Sequence, residues 1–448
     1  MSLAVSKQSN LFYQSGSRRP LLDKASGIYL WDISGKRYLD GSSGAMVSNI
    51  GHSNPNVLAA MQRQMQRATF GYRLHVENEP AEQLASAIAQ RMPPKLDRVF
   101  FVSGGSEAVE SSIKLARQYA IASGQAQRFK IISRFPSYHG STLGALALTG
   151  MSLMSAPFAP MLCDMPKIAA PTTYLDTDNL SEQQRGLRYA RLLREEILRQ
   201  GPETVLAFIM EPVGGASTGA LVAPDSYYQE IRRICDEFGV LLIADEVMSG
   251  LGRTGRWLAM EHWQVCADIV ALSKGFGAGY MPLGAMVARR DLVEAVLGNG
   301  GFVHGHTYAG NPLACAAGLA VLEEIERLNL LQAAQQQGAR LRAELDGLLH
   351  RYPFVGHVRG KGLLLAFELV AERATMEPLP AALNAHTRLV DIAFEKGLII
   401  YSRRTRGGRL GDHFMVCPPL IISDPQIDEL MEMLHASLDQ FSHEIGMS

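Results

Sequence analysis

The strongest constraint on the fold is an alternation that runs from residue 99 to residue 272, in which short apolar runs of strand length take turns with longer stretches of helical period. Residues 99–102, 130–132, 205–210, 240–244 and 269–272 read as strands. Residues 107–122, 186–199 and 227–238 read as helices, and Val109, Ile113, Ala116 and Ala120 form a buried stripe on the first. Strands joined through helices pair in parallel, so the pattern predicts an α/β fold with helices on both faces of a mostly parallel sheet.

Three of the apolar runs end on a charged residue: Glu211, then Asp245-Glu246, then Lys274 after Ser273. Open α/β sheets bind small ligands outside the carboxyl ends of their strands, so Glu211, Asp245 and Lys274 arrive at the binding edge. A lone lysine there is ordinarily a solvated surface residue. Asp245 follows an apolar strand and needs a cationic or hydrogen-bonding partner to stay charged. Arg253 and Arg256 are partners close in sequence, and the protonated ring nitrogen of a cofactor is another.

Ser103-Gly104-Gly105-Ser106-Glu107 bridges a strand and a helix. Glycines and the free N–H groups of a first helical turn suit a phosphate, although the same residues also make an ordinary turn with Ser106 as N-cap. Neither standard nucleotide motif fits, because no Gly-Lys-Ser/Thr follows and the Gly275, Gly277, Gly279 series runs into Met281-Pro282. Lys274, Asp245 and a phosphate turn together meet the needs of pyridoxal 5'-phosphate: an amine for its aldehyde, a carboxylate for its pyridine and donors for its phosphate. Tyr138, in Tyr138-His139-Gly140, either stacks on the ring or packs in the core.

Lys+Arg 43 against Asp+Glu 44 leaves a net charge of -1, which argues against nucleic acid and anionic membranes as partners. The 5 cysteines lie far apart without a C-x-x-C pair, a pattern of reducing compartments. Residues 1–10 carry no signal-peptide core and no apolar stretch reaches the roughly 18 residues of a membrane span, so a cytoplasmic location is expected.

The flanks read differently. A hairpin over 27–40 turns at Ser34-Gly35, helices follow from Pro55 and over 79–91, and another starts near Asn311. Segment 332–350 is amphipathic, strands are expected at 362–368, 397–401 and 414–417, and a last helix runs from Pro425. Residues 71–325 thus form a large domain, and 1–70 with 326–448 a smaller α+β domain.

The strings S-G-G-S-E-A-V-E-S-S-I-K-L-A-R-Q-Y, S-Y-H-G-S-T-L-G-A-L, A-F-I-M-E-P-V, L-L-I-A-D-E-V-M-S-G-L-G-R-T-G, A-L-S-K-G-F and H-T-Y-A-G-N-P occur in that order. Together they resemble the class III, or omega, aminotransferases over nearly the whole chain. The resemblance implies the fold type I of pyridoxal-phosphate-dependent transferases, with a mostly parallel seven-stranded sheet between helices. It implies that Lys274 bonds the cofactor's aldehyde, Asp245 pairs with the pyridine nitrogen and Val247 packs on the ring. By the same resemblance Gly105 and Ser106 hold the phosphate, Tyr138 stacks above the ring, and Thr307 reaches the phosphate in the other subunit of a homodimer, or of a tetramer built from dimers. Glu211 falls near the cofactor, in a contact or a purely structural role.

Departures from the family pattern bear on the substrate. Members using glutamate and 2-oxoglutarate carry a second Glu where this chain has Ala216, so the sequence resembles the amine:pyruvate branch instead. That branch has a mobile arginine before the Pro-Pro motif. Here Arg403, Arg404, Arg406 and Arg409 precede Cys417-Pro418-Pro419; Arg409 fits with a one-residue offset and Arg406 is the alternative. Met46 stands where those enzymes often have Trp, which implies a differently shaped donor pocket. The implied activity is a ping-pong transfer of an amino group from a primary amine or omega-amino acid to a 2-oxo acid, pyruvate foremost. The same motifs serve aminomutases and racemases. A non-catalytic binding protein is the third reading, against which the intact Lys274 and Asp245 speak.

Overall fold

The structure is a computed structural model that describes residues 9–13 and 18–447. Most of segment 1–10, on which the expectation about a signal peptide rests, lies outside the described residues, as does the start of the 1–70 unit. Among the described residues no helix is long and apolar enough to cross a membrane.

Seven strands form the main sheet: β1 Leu96–Val102, β2 Lys130–Phe135, β3 Lys167–Ala169, β4 Val205–Met210, β5 Leu241–Asp245, β6 Ile269–Leu272 and β7 Gly284–Arg289. Their order is β1-β7-β6-β5-β4-β2-β3. All neighbours from β3 through β6 are parallel, whereas β7 runs antiparallel to both β6 and β1. Every residue of β4 and β6 is buried, which explains their continuous apolar sequences: a strand covered on both faces has no position for a polar residue.

Helix α1 (Gly105–Ala122) covers one face and the pair α2 (Glu182–Gln200) and α3 (Asp225–Phe238) the other. Along β4, Ile209 joins the core of α1, while Phe208 and Met210 join the core of Tyr189, Leu193 and Tyr228. Alternate side chains thus anchor opposite helical layers.

Two further sheets use both ends of the chain. Strands Leu22–Ser26, Tyr29–Asp32 and Arg37–Asp40 are joined by Leu398–Ile399, which pairs in parallel with Arg37–Asp40. A second antiparallel sheet has the order Val355–Lys361, Leu364–Glu372, Leu410–Val416, Tyr401–Arg406. The strand expected over 362–368 is present but begins at Leu364. Gly362 is the turn between two strands, with φ +57° and a backbone so near Thr254 that a Cβ would lie 2.6 Å from its carbonyl carbon.

Candidate active site

The ends of β4, β5 and β6 bring Glu211, Asp245 and Lys274 to one cleft of about 140 Å³, together with Gly105, Ser106, Tyr138 and Val247. His139, Gly140 and Met248 complete its lining. A larger hollow of about 430 Å³ beside the Asp40–His52 pair contains none of the predicted chemical groups except the neighbourhood of Met46.

Lys274 opens a short 3-10 turn, Lys274–Phe276, directly after β6. Its φ of +50° is left-handed, a conformation that costs a non-glycine residue roughly 1–2 kcal/mol and is kept where the surroundings enforce it. The next residue, Gly275, is wedged against the Asn49 amide so closely that no side chain fits. Burial pushes the Lys274 ammonium down to about 8, while Asp245 and Glu211 act in the opposite sense. Near neutral pH a minor share of this lysine is therefore the neutral nucleophilic amine, far more than in an exposed lysine.

The Asp245 side chain is 5% exposed, and its Oδ2 lies 2.8 Å from His139 Nδ1. Its Oδ1 accepts a hydrogen bond from the Val247 N–H at 3.2 Å. His139 is thus the partner that sequence reasoning sought in Arg253 or Arg256. Arg253 turns away: its guanidinium is fully buried and donates to Pro418 O and Asn49 Oδ1, both at 2.6 Å. Arg256 is exposed. Glu211 accepts from Gly215 N at 2.9 Å and from Tyr138 N at 3.2 Å, and burial raises its carboxyl. It ties the backbone that carries Tyr138 to the segment that follows β4.

Helix α1 starts at Gly105 with Gly104 as N-cap and no side-chain cap, so Ser106 lies inside the first turn and not at the cap. The uncapped N–H groups and the positive end of an 18-residue helix meet the cleft. A Cβ on Gly105 would stand 2.8 Å from Val247 Cγ1, so the turn approaches Val247 as closely as glycine allows. Gly140, at φ +134°, packs likewise on Ser106, whose Oγ accepts from Ser141 N at 3.1 Å.

The remaining predicted residues do not line this cleft. Thr307 is exposed. Met46 is 1% exposed and part of the main core, because left-handed backbone at Ser43, Gly44 and Met46 turns its side chain inward and leaves Ala45 outside. Arg406 Nη2 donates to Met376 O at 2.6 Å, and Arg409 is exposed in the turn of a hairpin. Sequence reasoning also passed over His139; its only signal was its place in the Tyr138-His139-Gly140 string.

A family model described as aminotransferase class-III matches residues 13–438. The chain belongs to the class III aminotransferases. This aminotransferase is 39% identical over 419 residues to the uncharacterized aminotransferase YodT of Bacillus subtilis, covering 93% of this chain and 94% of the relative. It is 34% identical over 429 residues to a putrescine–pyruvate aminotransferase of Pseudomonas aeruginosa, covering 95% and 91%. Among solved structures it superimposes with a TM-score of 0.89 on an (S)-enantioselective omega-transaminase from Thermomicrobium roseum, at 37% identity over 94% of this chain and 92% of that one. Enzymes of this class depend on pyridoxal phosphate, and the seven-stranded sheet is that of fold type I. The donor set fits such a group: an amine of lowered basicity, a buried carboxylate braced by His139, and an uncapped helix start faced by a glycine cradle.

Proposed function

We propose that this omega-aminotransferase passes an amino group from a primary amine or omega-amino acid to pyruvate in two alternating half-reactions. The observation that carries the reading is the convergence of Lys274, Asp245 and the Gly105-Ser106 turn on one cleft. Lys274 would bond the cofactor's aldehyde, Asp245 would meet its ring nitrogen, Gly105 and Ser106 its phosphate, and Val247 and Tyr138 its two faces. When bound, pyridoxal phosphate supplies an electron sink for the pair left behind as a proton leaves the substrate carbon. Lys274 Nζ would take that proton from the carbon bearing the amino group and deliver it to the cofactor within the same half-reaction, and in the second half-reaction would carry a proton the opposite way, onto the carbon of the acceptor. Asp245, oriented by His139, supplies the negative charge that favours protonation of the ring nitrogen. Glu211 acts from behind by holding the Tyr138 backbone.

Thr307 would serve the partner's cofactor in a homodimer, which doubles to a tetramer in one arrangement of dimers. Its exposure supports this, as do the exposed apolar residues near it in sequence or space, Val303, Tyr308 and Phe70. Tyr308 and Phe70 pack edge to face at 5.7 Å. Residues 71–325 form the cofactor-carrying domain, with 1–70 and 326–448 as the smaller one, and the enzyme works in the cytoplasm.

Ala216 supports pyruvate over 2-oxoglutarate, because it leaves no carboxylate at that position. A screen of amines with each oxo acid tests the reading: alanine should form from pyruvate well ahead of glutamate from 2-oxoglutarate. No alanine from a broad panel, alongside racemised or rearranged substrate, would replace transamination with the racemase or aminomutase reading.

A further inference from the structure

Helix α1 carries a polar stripe that the cleft does not use. Glu107, Ser111, Lys114 and Gln118 follow one another at offsets of four, three and four, so they share one flank of the helix. Residues 301–306, a stretch without helix or strand, lie along that flank and run towards the start of α1. Gln118 fastens the far end: its Nε2 donates to Gly301 O at 3.1 Å and its Oε1 accepts from Val303 N at 2.8 Å. Glu107 stands at the near end, where its Oε1 faces His306 Nδ1 at 3.9 Å and its Oε2 accepts from Ser103 N at 2.8 Å.

His304 fixes the middle, and each donor there meets an acceptor. Lys114 Nζ lies 3.2 Å from His304 Nδ1 and, being an ammonium, can only donate, so Nδ1 accepts. The ring proton then sits on Nε2 and is donated to Ser111 Oγ at 3.0 Å, while the Ser111 hydroxyl donates to Glu107 O at 2.8 Å. Burial first and the Lys114 charge next push His304 down to about 4, so the ring stays neutral, as this arrangement requires. The same ring packs 5.8 Å from that of Phe100 on β1.

The chain then turns over 307–310 and is tied down again on another segment. Asn78 Nδ2 donates to Gly310 O at 2.9 Å, and Asn311 Nδ2 to Thr69 O at 3.0 Å. Thr307 thus stands, exposed, between two fastened stretches. A residue so placed is held in position while its side chain stays open to another molecule.

We propose that His304 is a positioning residue: seated on α1 by Lys114 and Ser111, it presents Thr307 to the cofactor phosphate of the other subunit. This rests on the shared-site reading above. One helix then serves two sites, its N-terminus the phosphate of its own subunit and its flank that of the partner.

The test uses heterodimers of the full chain, purified through two affinity tags, in which one subunit carries Lys274→Ala. Borohydride fixation at graded pyridoxal phosphate, with mass spectrometry of the Lys274 peptide, then reports the occupancy of the other subunit's site alone. Thr307→Ala on the Lys274→Ala subunit should raise the half-saturating concentration about tenfold or more, as expected from losing a hydrogen bond to a charged group. His304→Leu on that same subunit should raise it about fivefold or more, and His304→Gln, which can still accept from Lys114 and donate to Ser111, should recover part of the loss. His304→Leu on the subunit with intact Lys274 should change it less than about twofold, whereas damage to a subunit's own fold would act there. Lys114→Met, at an exposed position, gives the same pattern more weakly and serves if His304→Leu does not assemble. A loss on the Lys274-bearing subunit equal to that on its partner, or none on the partner where Thr307→Ala has one, overturns the role of His304 and leaves the shared site standing. No loss from Thr307→Ala removes the shared site, and the role of His304 with it.

Discussion

The contact between Gly105 and Val247 yields the sharpest quantitative expectation. A methyl group at position 105 would come within 2.8 Å of Val247 Cγ1 and 3.1 Å of Cγ2, well inside ordinary carbon–carbon separation. Neither side retreats easily. Gly105 begins an 18-residue helix, and the Val247 N–H is bonded to the buried Asp245 carboxylate, the group proposed to meet the cofactor's ring nitrogen. Overpacking of this kind costs about 1–3 kcal/mol. If the displaced groups are those that grip pyridoxal phosphate, Gly105→Ala weakens its binding by roughly 5- to 150-fold at 1.4 kcal/mol per decade. Val247→Ala removes both offending methyl groups, so the double variant should bind the cofactor within about threefold of Val247→Ala alone. Equilibrium titration of the apoenzyme, followed by the visible band of the bound cofactor, measures all four affinities. Strictly additive effects, or a Gly105→Ala protein with unchanged affinity, would refute the claim that the phosphate turn and Val247 form one tight cradle.

Four further outcomes follow from the site and its supports. Asp245→Ala should slow the single-turnover amine half-reaction about a hundredfold or more, with a much smaller loss of cofactor affinity; a normal single-turnover rate would remove Asp245 from the chemistry. Because burial lowers Lys274 to about 8, covalent capture of pyridoxal phosphate by the apoenzyme should accelerate as pH rises and level off above about 8, where the amine is already neutral. Between about 8 and its ordinary value of 10.5 the unfolded chain holds a proton that the native lysine has released, so the lysine's penalty on apoenzyme stability fades as pH rises across that window. Lys274→Met should therefore stabilise the apoenzyme most below about pH 8, as read by chemical denaturation, and lose that advantage progressively up to the ordinary value of 10.5. Arg359→Met leaves the 1%-exposed Glu368 without its cationic partner, with the Tyr174 hydroxyl still donating to it at 3.0 Å, and should cost about 3–5 kcal/mol of stability, part of which returns when Glu368→Leu is added.

The parts of the site legible in the sequence are those that local pattern places. Glu211, Asp245 and Lys274 end uninterrupted apolar runs, and such runs are unmistakable when both faces of a sheet are covered. Long-range pairings were not legible. His139 reaches Asp245 from 106 positions away, while Arg253, only eight residues on, is drawn to the carbonyls around Pro418. Strand β3 has three residues, too few for any period, and β7 follows β6 through a helix-free connection, which is why it returns antiparallel inside an otherwise parallel sheet. Met46 is buried while its neighbour Ala45 is exposed because left-handed backbone at Ser43, Gly44 and Met46 itself breaks the local periodicity, which residue types alone do not reveal.

Lys274 is the residue on which the proposed chemistry depends. Reducing the cofactor-loaded enzyme with borohydride and mapping its peptides by mass spectrometry should place the pyridoxyl phosphate mass on Lys274, with none on any other lysine. A label on a different lysine, or no label on a protein that carries the visible band, would contradict it.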